Sequence, residues 1–183
     1  MIGRLYSRLT ITTNDFLNAA YLGDLNVIKK YTAANRNTEF AITRNHLGRK
    51  ALTIAVLSEN VTIVNFLITE GISDAIGPGL SLLMSAAQRG NNEIVEALVA
   101  NGENVNAVYG HHTALTYAIV HGHSQNHLDT IKTLIKAGAD VNAEHSGQTP
   151  LFIAAQYGRD EIAKILIDAG SEVPRNVCSL KIR

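Results

Sequence analysis

Five segments of this chain of 183 residues repeat one punctuation, and that repetition limits the fold more than anything else in it. The segments align on Ala19-Ala20, Ala55-Val56, Ala86-Ala87, Ala118-Ile119 and Ala154-Ala155. Three or four residues later each reaches a helix-stopping residue: Gly23, Asn60, Gly90, Gly122 and Gly158. A second apolar stretch follows, and then a second stop: Asn35, Gly71, Gly102, Gly138 and Gly170. A helix commonly ends on a residue at positive φ, where glycine has no Cβ to clash and asparagine is the next best tolerated. Eight of the ten stops are Gly and both exceptions are Asn, so a positive φ is expected at all ten. Each segment thus reads as a short helix, a tight turn, a second helix and an exit turn.

Apolar spacing agrees. Leu151, Ala154 and Ala155 fall at i, i+3, i+4, and Ile162, Ile165 and Leu166 repeat that stripe on the second helix. Leu83, Ala86, Ala87 and then Ile94, Ala97, Leu98 do the same in the third segment. Alanine in the first helices allows close approach of neighbours at no cost in helix propensity. A single pair of this kind cannot bury its own apolar faces, so the pairs must stack into a quasi-one-dimensional array.

Gly147-Gln148-Thr149-Pro150-Leu151-Phe152-Ile153-Ala154-Ala155-Gln156-Tyr157-Gly158 closely resembles the ankyrin signature, and Ala137-Gly138-Ala139-Asp140-Val141-Asn142-Ala143 resembles that family's inter-repeat turn. Asn101 to Ala107 is a weaker copy. The resemblance covers roughly residues 14–173 and implies an all-α solenoid of about five helix–turn–helix repeats. Its units are expected at 14–47, 48–78, 79–109, 110–144 and 145–173, inside one domain spanning 1–183. The sequence departs from the pattern in three ways. Only the fifth segment has Thr-Pro. The family's His after T-P-L is replaced by Leu17, Thr53, Met84, Thr116 and Phe152, so its usual Thr–His hydrogen bonds are not available. The intervals between Asn14, Lys50, Ser81, Thr113 and Thr149 are uneven, and the last contains a four-residue insertion at His123–His127, expected as a mobile loop.

A solenoid needs covered ends. Ile2, Leu5, Tyr6 and Leu9 form one helical face, which predicts an N-terminal cap over residues 1–13. Val177, Leu180 and Ile182 predict a C-terminal cap over 174–183. Docking of a partner by either end is the alternative.

No apolar run reaches the ~18–20 residues a membrane helix needs, and the first residues lack the apolar core of a secretory signal. With a single cysteine, Cys178, no internal disulfide can form, and an intracellular, cytoplasmic location is expected, with the nucleus or delivery into a host cell as alternatives. Net charge is zero, yet residues 1–50 carry eight Lys/Arg against three acids, whereas residues 51–172 carry five against thirteen. Arginine clusters interleaved with aromatics are missing, which argues against nucleic acid as partner.

Catalytic patterns are not found: there is no nucleophile elbow, phosphate loop, Cys/His pair or suggestive carboxylate pair. No enzyme activity and no cofactor are expected. His121, His123 and His127 could supply imidazoles to a metal, but no further good ligand stands near them, so no metal site is expected. The resemblance implies one modification, hydroxylation of Asn142 in the inter-repeat turn. The plainer reading is that Asn142 simply suits that turn.

The resemblance also implies binding of another protein through a concave stripe of first-helix residues and through the turn tips. By register the stripe is Asn18, Tyr21, Leu22; Ile54, Leu57, Ser58; Ser85, Gln88, Arg89; Tyr117, Val120, His121; and Ile153, Gln156, Tyr157. The tips add Arg49, Tyr109, His111, Glu144 and His145. Tyr21, Leu22, Leu57, Arg89, Tyr117, His121, Gln156, Tyr157, Tyr109 and His111 are the candidate partner-binding set, since Tyr and Arg favour interface hot spots and apolar residues are otherwise out of place on a surface. Ile54 and Ile153 are expected to pack between repeats instead. The function expected is that of an adaptor, inhibitor or host-directed effector, monomeric alone. A structural or self-assembling array, or a non-catalytic subunit of a larger complex, is the alternative.

Overall fold

Four of the five helix pairs begin where a small polar side chain, Thr12, Ser81, Thr113 or Thr149, holds the first turn. The computed structural model describes residues 11–35, 46–72 and 81–172, in which all regular structure is helical. Of the N-terminal cap expected over 1–13, residues 1–10 lie outside the described residues, as does the whole of the C-terminal cap expected over 174–183. The helices are α1 (Thr13–Leu22), α2 (Leu25–Ala34), α3 (Leu47–Leu57), α4 (Val61–Thr69), α5 (Leu82–Arg89), α6 (Asn92–Ala100), α7 (Ala114–Val120), α8 (Gln125–Lys136), α9 (Pro150–Gln156) and α10 (Asp160–Asp168).

The chain divides into two compact units, Met1–Ser73 and Asp74–Arg183. In the first, α1 packs on α2 and α3, and α3 packs on α4. Its core includes Phe16, Ile28, Leu52, Ile63 and Leu67, all fully buried, and Phe16 stacks on Tyr31 with ring centroids 4.5 Å apart. In the second, α5, α7 and α9 form one row of neighbours and α6, α8 and α10 another. Leu83, Ile94, Leu98, Ile119, Ile131 and Leu134 are fully buried there. Burial of each such side chain stabilises by about 1.5–3 kcal/mol.

Ser81, Thr113 and Thr149 cap the first helices of the third to fifth repeats, each accepting a hydrogen bond from the N–H three residues on. These are the positions expected by register. In the fourth repeat Thr116, which replaces the family's His, completes a reciprocal capping box by accepting from the Thr113 N–H at 2.8 Å. The first helices of the first two repeats start earlier than the alignment implies. Thr12 caps α1, with Asp15 as its capping-box partner, and α3 starts after His46.

Seven of the ten expected stops have positive φ: Gly23, Gly71, Gly90, Gly102, Gly138, Gly158 and Gly170. Asn35, Asn60 and Gly122 do not, and both asparagines have another job. The Asn35 amide donates to the Tyr31 carbonyl at 2.8 Å, closing α2 through its side chain. At the second-repeat turn the left-handed residue is Glu59, with φ 58°. Asn60 then reaches across to α1, its amide donating to the carbonyls of Ala20 at 3.1 Å and Tyr21 at 2.8 Å. At Gly122 a Cβ would lie 2.5 Å from Ile162 Cδ1, so a side chain there would require that methyl to shift.

The insertion expected as a loop at His123–His127 is a loop only at His123 and Ser124. Gln125 to His127 begin α8, which has 12 residues against 9 in α4, α6 and α10. The extra turn is held by His127, which is buried against Gly90.

One buried position breaks the apolar pattern. Thr130 is fully buried where equivalent second helices carry Ile63, Ile94 and Ile162, and its hydroxyl has no hydrogen-bond partner. An unsatisfied buried hydroxyl costs about 1 kcal/mol or more. Thr130→Val keeps the shape and removes the hydroxyl, so it is expected to raise the melting temperature by about 2–4 °C. An unchanged or lowered midpoint in thermal denaturation would show that the hydroxyl contributes to the fold.

Candidate functional site

Two features project side chains from the second unit, the turn tips and the exposed side of the first helices. Each tip is a two-residue hairpin. Tyr109 and His112 exchange backbone hydrogen bonds at 3.0 and 3.1 Å, as do His145 and Gln148 at 3.1 Å. The bends use positive φ at Gly110 in the first and at Ser146 and Gly147 in the second. The first tip carries Val108, Tyr109 and His111 in exposed positions. At the second, Glu144 is exposed and His145 half-buried.

The tips are tied together at their bases. The Asn106 amide donates to the Gly138 carbonyl at 3.0 Å, while its oxygen accepts from the Asp140 N–H at 2.9 Å. Asn142 repeats this one unit later, donating to Gly170 at 3.2 Å and accepting from the Glu172 N–H at 2.8 Å. The amide of Asn142, the candidate hydroxylation acceptor, therefore acts as a clamp between successive turns. Asn104 serves Asn106 as Asp140 serves Asn142, accepting a backbone N–H two residues on.

Along the first helices, Arg89, His121 and Tyr157 hold one equivalent position, at or just beyond the ends of α5, α7 and α9. Arg89 and Tyr157 are exposed and His121 is half-buried. Gln88, Val120 and Gln156 precede them, and Gln156 Oε1 lies 3.5 Å from Gln148 Nε2. Tyr117 is one turn earlier, equivalent to Ser85 and Ile153. Both equivalents are buried, which places Ile153 in the packing as expected and removes Ser85 from the exposed stripe. Tyr117 stays half-buried because its larger ring extends outward between two imidazoles. Its centroid is 5.2 Å from that of His112 and 6.5 Å from that of His121, the latter pair almost parallel at 5°. The register reading missed His112. Its position opposite Tyr109 in the hairpin could have indicated that it folds back over α7.

In the first unit Tyr21 and Leu22 end α1, 65% and 75% exposed, and Leu57 ends α3 at 46%. Asn18 is also exposed, whereas Arg49, Ile54 and Ser58 are half-buried.

The histidines do not converge. His127 is turned inward, and its Nε2–H donates to the Gln88 carbonyl at 3.2 Å. A carbonyl only accepts, so in the neutral ring Nδ1 is left to accept from the Ser124 hydroxyl at 2.9 Å. His123 points elsewhere and accepts from Arg159 Nη2 at 2.7 Å. Among the described residues no group of three His, Cys, Asp or Glu side chains is placed to hold a metal ion.

Burial depresses the His121 pKa below its ordinary value of 6.5, and the neighbouring His127 and His123 push it the same way. The unfolded chain therefore takes up this proton first as pH falls. Stability present above pH 6.5 is expected to decline below it and to level off once the folded-state pKa has been passed. His121→Gln should flatten that part of a urea-midpoint profile against pH, and an identical slope in the variant would show that other groups set it.

A family model for ankyrin repeats in three copies matches residues 16–108 and again 83–177. The ankyrin repeat and KH domain-containing protein mask-1 of Caenorhabditis elegans is 36% identical over 139 residues, 76% of this chain and 5% of that protein. An ankyrin repeat protein of Rickettsia felis is 33% identical over 103 residues, 52% of this chain and 45% of the other. Another from Rickettsia bellii is 29% identical over 133 residues, 69% and 71% of the two chains. The chain thus spans about a twentieth of the worm protein and about half of the Rickettsia felis protein. No helix among the described residues is long and apolar enough to cross a membrane. Ankyrin repeats are in general protein-interaction modules. The repeated helix pairs, the hairpin tips with their asparagine clamps, and a family match over most of its length show that this chain belongs to the ankyrin-repeat family.

Proposed function

We propose that this chain binds a partner protein through the exposed side of its first helices and its turn tips, acting as an adaptor, inhibitor or effector without catalysis of its own. One observation carries the reading. Of the large apolar and tyrosine side chains exposed among the described residues, Tyr21, Leu22, Leu57, Val108, Tyr109 and Tyr157 belong to first helices, their ends or a turn tip, and Ile167 alone does not. An even scatter of exposed apolar groups needs no explanation, whereas their concentration on the first helices and turn tips supports an interface there. The partner's identity follows from affinity capture with the full chain, compared with a Tyr109→Ala/Tyr157→Ala variant. A protein retained by the natural chain and lost by the variant is the expected result. Equal capture by both would refute this surface. Capture accompanied by a concentration-dependent solution mass well above the 19.7 kDa of one chain would favour the self-assembling array. An intracellular location belongs to the same reading, and imaging of the tagged chain tests it.

A further inference from the structure

Acidic side chains avoid one side of the second unit. Of the ten Asp and Glu between residues 81 and 172, six lie on the second helices α6, α8 and α10. Three more, Glu103, Asp140 and Glu172, stand in the turns that follow those helices, and Glu144 at the second tip is the last. The first helices α5, α7 and α9 contain no carboxylate, and their one Lys or Arg is Arg89. Four of the six histidines in the same span belong to this side: His111, His112 and His145 in the hairpins, and His121 at the end of α7. The hairpins lean over the first helices, as the ring contact of His112 with Tyr117 and the approach of Gln148 to Gln156 show. These imidazoles, exposed at His111 and half-buried at the other three, thus share a surface with Tyr109, Tyr117 and Tyr157.

We propose that this side takes an acidic segment of the partner protein and holds it more tightly as the imidazoles gain protons, an inference that rests on the interface proposed above. Net charge alone would point the other way. Between residues 81 and 172 five Lys and Arg stand against the ten acids, which would draw a basic partner. Such a partner would find its attraction on the second helices, where Glu93, Glu96, Asp160, Glu161 and Asp168 are exposed. On the first-helix side it would meet one tip carboxylate, Glu144, and imidazoles whose protonation repels it. An acidic segment meets phenol and imidazole donors there, and a hydrogen bond to an ionised acceptor is stronger than a neutral one. Its carboxylates in turn favour the protonated imidazole. The groups already around the rings do not supply that charge. Tyr109 accompanies His111 and His112 in the first hairpin, and only His145 has an acid, Glu144, beside it in sequence. Tyr117 flanks His121 on α7, while burial, then His127 and His123 at the start of α8, hold its pKa below the ordinary value. A carboxylate from the partner would offset that repulsion. A phosphate backbone is less well matched, because it calls for more fixed positive charge than Arg89 provides.

The test titrates the full chain into a fluorescein-labelled random copolymer of glutamate and tyrosine, and into the matching copolymer of lysine and tyrosine, with anisotropy as the readout. Near pH 6 the glutamate copolymer is expected to bind at least about ten times more tightly than the lysine copolymer. Its affinity is expected to fall about threefold or more between roughly pH 6 and pH 7.5, as imidazoles lose their protons. His111→Gln/His121→Gln should lose most of that pH dependence while thermal denaturation shows the fold retained. Lys132→Gln/Lys164→Gln, which removes two exposed charges from second helices, should keep it. A preference for the lysine copolymer, equal binding, binding of neither, or an unchanged pH profile in the histidine variant overturns the inference. So does an oligothymidylate that competes as well as unlabelled glutamate copolymer, which would assign the surface to nucleic acid. Capture of a partner that Tyr109→Ala/Tyr157→Ala abolishes, by a chain with no preference for the glutamate copolymer, leaves the interface standing and removes only its acidic specificity.

Discussion

Gly90→Ala is expected to destabilise the protein by about 2–4 kcal/mol, whereas Gly158→Ala at the equivalent turn costs only about 1 kcal/mol. Both glycines follow a first helix, and both have positive φ, 68° and 64°. The conformational penalty for a side chain is therefore the same. Their surroundings differ. A Cβ on Gly158 would meet nothing within 4 Å, but one on Gly90 would lie 2.7 Å from His127 Nδ1 and 2.9 Å from Cε1. The ring cannot swing aside cheaply, because Ser124 and the Gln88 carbonyl hold its two nitrogens. Moving it would sacrifice two hydrogen bonds of a buried side chain, each worth roughly 1 kcal/mol. Urea denaturation of the two single variants reads the difference directly. A double-mutant cycle with His127→Ala isolates the contact, since Gly90→Ala should cost no more than Gly158→Ala once the ring is gone. Equal costs in the natural background would show that the extra turn of α8 yields freely and that His127 does not fix it.

That contact could not be read from the sequence, and the reason is instructive. Helix pairs were legible because glycine at a helix end and alanine at a helix–helix contact are local requirements, met one residue at a time. Seven glycines stood where a left-handed residue is needed. Asparagine was ambiguous, because it tolerates positive φ but also carries an amide. At Asn35 and Asn60 the amide is what the structure uses, and the reversal at the second turn moves to Glu59. Gly122 was legible as a helix stop, but not the close approach of Ile162 beside it. A run of histidines looked like a loop until burial of His127 showed that the insertion lengthens a helix. The candidate surface was legible to the same extent. Register set Arg89, His121 and Tyr157 at one equivalent position and Ile153 in the packing, yet it could not distinguish Ser85, which is buried, from Tyr117, whose ring emerges between His112 and His121.

This distinction decides which tyrosine tests the proposed interface. Tyr117→Ala would remove two ring contacts and leave a gap beside α7, so a loss of binding would be mixed with a loss of stability. Tyr157 is 49% exposed at the end of α9, in the position held by His121 and Arg89 in the preceding repeats. Its backbone N–H closes α9 by donating to Ile153, which any residue but proline can do. Tyr157→Ala is therefore expected to leave the melting temperature within about 1–2 °C of the natural protein, as exposed substitutions usually do. If Tyr157 is a hot spot, the same change should cost about 2 kcal/mol or more of binding energy, roughly a thirtyfold loss of affinity. A rigid helical scaffold favours an effect of this size, because little side-chain or backbone freedom remains to be lost on docking. Tyr157→Phe separates two contributions, retaining ring burial while removing the hydroxyl. Calorimetric titration of each variant with the captured partner measures both. Full affinity in Tyr157→Ala would exclude this part of the first-helix surface and direct the search to Val108, Tyr109 and His111 at the turn tip.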